Sequence, residues 1–533
     1  MICLTPQLLA DAPLPAAPVG EGGARPDVVY EVTVEAAEPG PETDALRAQG
    51  LNVVGRDGNS IRLRVNASEL AWLSIDGYTV TILEEIPPEP EAPPPGSRVL
   101  GQYHDYATLT SELIAYAAAY GPDQNQNNDI CRLHTLGQTV QGREIWALLI
   151  TDNPDVQEDE PEFKYVATIH GDEPLGTELC MYLIDELLTQ YHLSTRHNNL
   201  VNNTAIWFVP MMNPDGLQLN RRENANGVDL NRNFPDWPSQ FAGTVFDGAP
   251  LNTAGRQPET QRMMEWTAAN NFVMSANFHG GAFVMNYVYD DDNKGTGNNA
   301  PTPDDALVRH LSRLYSLNHT TMSTNSYPQS PDGIINGSQW YEITGGMMDW
   351  HYRYAGCIDV TIELSTLKRP AEFTIPNFWN ANHEAMLAYM EGVHIGVRGV
   401  VRNSSNNQPL YAKITINGNP QPVFTDPDVG DYQRLLLPGT YSLTVESNGF
   451  TPKTINGVSV ASGPATRLDV TLDPLPIDAD VDGDGDVDAT DLQFIVLKIL
   501  GQTVPGHIDA DLDDNGSVNS VDLQLGVLAL LQA

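Results

Sequence analysis

The chain is short of basic residues. Only 28 Lys+Arg stand against 69 Asp+Glu in 533 residues, a formal net charge of −41. Nucleic acid and anionic membranes recruit proteins through Lys and Arg, so both are poor partners. No apolar run is long enough to cross a bilayer. Cysteine is scarce. Cys3, Cys131, Cys180 and Cys357 have no metal-like spacing, and a disulfide and free buried thiols both remain open. The opening MICLTPQLLADAPLPAAPV lacks a basic n-region and a strong apolar run, so 1–27 reads as a leader or an unstructured segment.

What is present suffices for several folded units. Hydrophobic residues make up 41% of the chain, and its length implies three to four domains. Residues 28–84 run strand–helix–strand–strand–helix–strand, from VVYEVTV to YTVTIL, with a capping-box pattern at Asn66 and Glu69. That order predicts a small ferredoxin-like α+β domain. Residues 85–99 are Pro- and Glu-rich and read as an extended linker. From 100 to 395, strands IWALLIT, YVATIH, AIWFVP, FVMSANFH and IDVTIEL alternate with helices such as LGTELCMYLIDELLTQ and PETQRMMEWTAANN. This predicts an α/β domain, an open sheet with helices on both faces. Residues 396–474 hold short strands between turns and predict a β-sandwich. Residues 478–533 hold 12 Asp, no Glu or Arg and one Lys.

Sites in open α/β sheets form beyond the carboxyl ends of strands. His170 and His279 fall at such ends, and so does Glu363, inside VTIELS. Two His and a Glu suit a catalytic zinc that keeps one position open, with a separate Glu as general base.

HGDEPLG, NPDG (213–216), RENANGVDLNRNFPD (222–236), SANFHGGAFVMNYVYD (275–290), WYEITGGMMDW (340–350) and TIELS (361–365) fix the reading. In this order they resemble the zinc carboxypeptidases, in the branch of carboxypeptidases D, E and N. The resemblance implies the mixed open sheet of that fold and one zinc ion held by His170, Glu173 and His279. It implies that Asp229 fixes the tautomer of a ligating imidazole. Asn231 and Arg232 would grip the α-carboxylate of a peptide chain end, and Tyr341 would fold over it from a mobile loop. Arg222 would polarise the scissile carbonyl, and Glu363 would activate a water. Asp290 would face the leaving side chain and select Lys or Arg. Met348, a pocket position that is polar in close relatives, would add tolerance of apolar side chains. Residues 396–474 resemble the transthyretin-like, or regulatory-like, domain of the same branch. Residues 28–84 would be an inhibitory pro-segment or an accessory domain.

The tail repeats a calcium-loop spacing. Asp480, Asp482, Asp484, Asp486, Asp488 and Asp491, with Gly485, are matched by Asp511, Asp513, Asn515, Ser517, Asn519 and Asp522, with Gly516. An apolar helix follows each loop, and 475–533 resembles a small α-helical type I dockerin. That implies two structural Ca²⁺ ions, a cohesin-bearing partner and a secreted or cell-surface location. The whole reads as a zinc metallocarboxypeptidase acting on peptide or protein C-termini. Two rivals are a cell-wall peptide carboxypeptidase or amidase and an inactive peptide-binding protein displayed through its dockerin.

Overall fold

The structure is a computed structural model, and it describes residues 29–37, 39–49, 51–57, 59–86, 102–122, 129–236, 243–475, 479–506, 508–512 and 516–532. The expected leader at 1–27 and most of the expected linker at 85–99 lie outside the described residues.

The first unit is a four-stranded antiparallel sheet whose strands run in spatial order Asn52–Asp57, Ser60–Asn66, Val29–Glu35, Val80–Ile86. Helices Pro39–Ala48 and Ala67–Ile75 complete it. The capping box read at Asn66 is formed: Asn66 N donates to Glu69 Oε2 at 2.8 Å and Glu69 N to Asn66 Oδ1 at 2.9 Å. The last strand runs to Ile86, beyond the expected end of the domain, because Glu84, Glu85 and Ile86 pair with Glu31, Tyr30 and Val29.

The second unit is built on an eight-stranded mixed sheet. Its order is Ile334–Asn336, Ala282–Tyr287, Val360–Ser365, Phe272–His279, Glu162–Ala167, Ala205–Val209, Glu144–Ile150, Cys131–Gln138. The central Val360–Ser365, Phe272–His279, Glu162–Ala167 and Ala205–Val209 strands are mutually parallel, so their carboxyl ends share one edge. Alternate side chains feed two cores. Phe163, Tyr165 and Ala167 enter the larger, and Val166 and Val209 the smaller. The period-2 pattern of a two-sided sheet demands this division. Helices Leu175–Gln190, Asp305–Ser316 and Ile375–Glu391 cover the larger core, and Pro258–Ala269 the smaller. Cys131, Cys180 and Cys357 are buried free thiols.

The third unit is a sandwich of two small sheets around Val397, Val401, Ile414, Leu443, Val445 and Leu472. It is fastened to the second by a buried ion pair. Arg434 donates to Asp304 at 2.8 and 3.3 Å, and Tyr352 and Asn419 donate to the same carboxylate. The two side chains are 1% and 4% exposed. The fourth unit is a pair of helices, Ala489–Ile499 and Ser520–Gln532, over Val481, Ile495, Ile508 and Ala510.

The ion pair makes a prediction. Removing one partner strands a buried charge, so Arg434→Met should destabilise the protein by about 3–5 kcal/mol. Replacing both Arg434 and Asp304 with apolar residues should recover much of that loss. Denaturant unfolding of the two variants checks it, and equal midpoints for Arg434→Met and the wild type would refute the pair's role.

Candidate active site

Two glycines build the turn that carries the site. After the Glu162–Ala167 strand the chain reverses through Thr168, at φ 53°, before His170. A Cβ on Gly171 would lie 2.0 Å from the backbone carbon of Gly216, and one on Gly176 would lie 2.4 Å from the Cβ of Phe278. HGDEPLG therefore needs its glycines because backbone from NPDG and a side chain from the Phe272–His279 strand press against them. Asn213 locks the contact, donating to the carbonyl of Ile169 at 3.1 Å and accepting from Gly216 N at 2.8 Å.

The turn delivers His170 and Glu173 to the edge where the Phe272–His279 strand ends. Donor atoms of His170, Glu173 and His279 all lie within 4.8 Å of one another. Glu173 Oε2 sits 3.1 Å from His170 Nδ1 and 2.9 Å from His279 Nδ1 and accepts from Gly280 N at 3.2 Å. All three side chains are buried. His170 Nε2 lies 3.0 Å from Asp229 Oδ1, which assigns its proton to that side and leaves Nδ1 as a lone-pair donor toward the cluster. Two imidazoles and a carboxylate converging at this spacing fit a zinc ion.

The electrostatics fit a cation-centred site. Burial would raise the pKa of Glu173, but the two imidazoles and Lys368 hold it well below the usual carboxylate range. Asp229, which is half-buried, is likewise held well below the usual range against that burial, chiefly by Arg222 and then His170. Glu363 goes the other way: burial pushes it up to about 7. Its Oε2 is buried without a hydrogen-bond donor. A carboxyl group whose pKa lies near neutral pH, beside a cluster of metal-ligating side chains, is suited to taking and returning a proton.

One cleft collects the remaining expected residues. Arg222, Asn231, Arg232, Asp290, Tyr341 and Glu363 line it together with His170, Glu173 and His279. Arg222 Nε donates to Asp229 Oδ2 at 2.9 Å, and its Nη1 lies 3.0 Å from His170 Nδ1. The neighbouring Arg221 instead turns to the carbonyl of Asn224. Asn231 Oδ1 accepts from Met347 N at 3.0 Å, so its amide nitrogen is the group left for the cleft. Burial pushes Asp290 up to about 6, partly offset by Asn286 and Arg232.

Two expectations are revised. Glu363 does not end its strand. It lies within Val360–Ser365, paired in parallel with His279 and antiparallel with Val284, and reaches the site from the sheet's surface. Met348 does not line the cleft. It is 1% exposed, and its sulfur accepts from Thr361 Oγ1 at 3.9 Å, so Thr361 stands in front of it.

Six cleft residues escaped the sequence reading. Lys368, five residues after Glu363, lines the cleft and reaches Asp172 Oδ2 at 2.7 Å and Glu173 Oε1 at 3.5 Å; its nearness to TIELS was the only signal. Asn286 and Thr361 also line it, from adjacent strands. So do Asn52, Val53 and Val54 of the small first domain, for which no motif exists.

Comparison with known proteins agrees with this geometry. Residues 123–385 match the family described as zinc carboxypeptidase, and residues 396–473 match the carboxypeptidase regulatory-like domain. The chain is 40% identical over 366 residues to carboxypeptidase D of Homo sapiens, a match covering 65% of this chain and 26% of that one. It thus spans about a quarter of the length of that relative. It is 40% identical over 394 residues to the carboxypeptidase N catalytic chain of Mus musculus, covering 68% of this chain and 84% of that one. Carboxypeptidase A from Helicoverpa armigera shares the fold, with a TM-score of 0.52 at 16% identity over 68% of this chain and 97% of that one. Built on the same sheet and carrying the His–Glu–His cluster and the regulatory-like sandwich, the chain belongs to the zinc carboxypeptidase family, in the branch of carboxypeptidases D and N.

Proposed function

We propose that this chain is a zinc-dependent exopeptidase that releases C-terminal residues, Lys and Arg above others, from peptides or proteins. The observation that carries the reading is the single cleft in which the His–Glu–His cluster, two guanidiniums and the Asp290 carboxylate face one another. Zinc held there by His170, Glu173 and His279 would polarise the scissile carbonyl as a Lewis acid. Arg232 and the Asn231 amide receive the terminal carboxylate, which an internal peptide bond cannot offer; this makes the activity an exopeptidase. Tyr341 closes over the bound chain end. Glu363 takes a proton from the attacking water and returns it to the leaving amine. Arg222 adds positive charge where the carbonyl oxygen becomes negative. Asp229 holds the His170 tautomer. Asp290 attracts a cationic side chain on the leaving residue.

The small domain at 28–84 acts in this reading as an inhibitory pro-segment. Its edge strand brings Asn52, Val53 and Val54 to the cleft, and the Arg47 guanidinium lies 4.2 Å above the ring of Tyr341. With the domain in place the cleft encloses about 60 Å³. Small-ligand sites hold roughly 300 Å³ or more, so the small domain narrows the space a substrate's terminal residue would need.

The tail at 475–533 is read as a calcium-dependent dockerin for a cohesin-bearing partner, a reading that goes with a secreted or cell-surface setting. Donor oxygens of Asp480, Asp482 and Asp491 lie within 4.8 Å of one another. Asp491 also accepts from the backbone of Val481, Asp482 and Asp488, which closes the loop on its helix. Asp486 is pushed above the usual range by its hydrogen bond to Asp484 and the repulsion between them, a strain that a cation relieves. In the second loop Asp522 accepts from Leu512 N and Asn519 N, and Asp511 from Gly516 N, in the same pattern. Ser517 is exposed beside them, and Asp513 and Asn515 lie outside the described residues.

Four experiments test this reading. A chelator should abolish release of C-terminal Arg, and zinc should restore it. Glu363→Gln should keep stoichiometric zinc while kcat falls by about 10²–10⁴-fold; active protein without zinc would defeat the assignment. Cutting the chain between residues 86 and 102 and separating the small domain should raise kcat/KM by at least about tenfold, the equivalent of 1.4 kcal/mol of competing contact. Equal rates before and after separation would make the domain an accessory unit. Titration of the full chain with calcium should give two ions per chain and a gain of helical signal. Asp480→Ala combined with Asp511→Ala should remove both while leaving peptidase rates unchanged, and an unchanged titration would remove the calcium role.

A further inference from the structure

A second cavity opens on the face of the mixed sheet that carries the smaller core. It holds about 500 Å³, within the range of small-ligand sites, roughly 300–1,000 Å³. Leu149 and Trp207, paired across neighbouring strands, form its floor with Ala205. The Pro258–Ala269 helix bounds it through Trp266, and the loop after the Glu144–Ile150 strand bounds it through residues 154–160. It shares no lining residue with the zinc cleft. Ala205 begins a strand whose other end lies at the edge that carries the His–Glu–His cluster, so the two sites belong to opposite ends of the sheet.

Aromatic rings and carboxylates line this cavity together. Trp266 meets Trp207 edge to face, with ring centroids 5.5 Å apart and planes at 76°. His134 tilts against Trp207 at 5.1 Å. Asp155, Glu158 and Glu160 come from the loop, and neither Lys nor Arg lines the space. Asp155 is already committed to Arg132, whose Nε donates to it at 2.8 Å. The other two carboxylates are not neutralised. Glu158 accepts from Asn153 Nδ2 at 2.9 Å and Glu160 from Thr151 Oγ1 at 2.8 Å, and among the described residues neither is paired with a cation. Burial, together with the charges of Asp152, Glu158 and Glu162, pushes Glu160 up to about 8 against the Thr151 hydrogen bond. A cation seated here relieves that crowding.

We propose that this cavity is an exosite for the side chain of an internal arginine of a polypeptide, whose guanidinium lies against the Trp266 indole and donates to the Glu158 and Glu160 carboxylates. The face of an indole attracts a cation, and a guanidinium stacks on it better than an ammonium does. Its fork of N–H donors also matches a carboxylate. The lining excludes free arginine, because an α-carboxylate would meet only other carboxylates. An internal arginine carries the cation without that charge. A neutral sugar also stacks on indoles, but it leaves both carboxylates uncompensated. The site holds an arginine-bearing chain to the protein away from the zinc cleft, and it stands whatever chemistry the cleft performs.

The test is calorimetric titration of the full chain, at physiological salt, with acetyl-Gly-Arg-Gly-amide, which has no free carboxylate to offer the cleft. One peptide should bind per chain. The lysine analogue, equal in charge, should bind at least about threefold more weakly, and the neutral citrulline analogue at least about tenfold. Trp266→Leu should weaken binding of the arginine peptide by about 3–30-fold. Glu160→Gln should weaken it by about tenfold or more, and this loop substitution guards against a Trp266→Leu chain that fails to fold. Equal affinity for the arginine and lysine peptides would mark simple attraction to a chain of net charge −41 and overturn the site. Unchanged affinity in both variants would put the peptide elsewhere and overturn it as well. So would a wild-type chain that does not bind the arginine peptide, whatever a neutral oligosaccharide does. None of these results bears on the carboxypeptidase reading, which is judged by release of C-terminal residues.

Discussion

Glu173 Oε2 is the point on which the rest of the molecule is hung. A carboxylate 3% exposed receives two imidazoles from different elements and one backbone N–H. An isolated charge at that depth would be unaffordable. It is sustained because Lys368 and Arg222 approach its Oε1 and the Gly280 N–H donates to Oε2, on the side where the two imidazoles converge. Each of these comes from a different stretch of chain, so keeping this one carboxylate compensated requires the parallel strands to end together. The mixed sheet, its two cores and the glycine-bounded turn can be understood as the scaffold that meets that demand.

Paired charge also organises the joints between units. Arg434 and Asp304 bind the sandwich to the catalytic unit, and Arg398 with Asp159 forms a second link between them. The first domain is attached differently, through guanidinium–ring contacts of Arg47 with Tyr341 and of Arg62 with Tyr327 at 4.2 and 5.1 Å. Such contacts are worth about 0.5–2 kcal/mol each. The contrast is physical: one joint is centred on a buried ion pair, and the other includes cation–ring contacts.

Much of this was legible in the sequence because the determinants are local. Strand ends, capping residues and motif glycines are read within a few positions, and the Glu162–Ala167, Ala205–Val209 and Phe272–His279 strands fall where alternating and continuous apolar runs put them. What escaped depends on direction in space. Met348 sits in a short helix, Met347–Trp350, whose rotation decides that its sulfur goes behind Thr361 and not into the cleft. Glu363 reads as a strand-end residue until its pairing with Val284 shows the strand continuing past it. The approach of Asn52–Val54 to the cleft is set by how two separately folded units meet, and no residue at those positions announces it.

Gly171 and Gly216 bear on descent as well as on structure. The backbones of the two loops touch, so a side chain on Gly171 would strike Gly216 and Leu217, and one on Gly216 would strike Asn213 and the carbonyl of Glu223. Neither position can drift alone, and a change at one is not rescued by shrinking the other, which is already the smallest residue. A lineage can leave this state only by moving a whole loop. Sequences that keep the His–Glu pair are therefore held to both glycines, and a homologue lacking either is expected to have rebuilt the turn that carries its metal ligands.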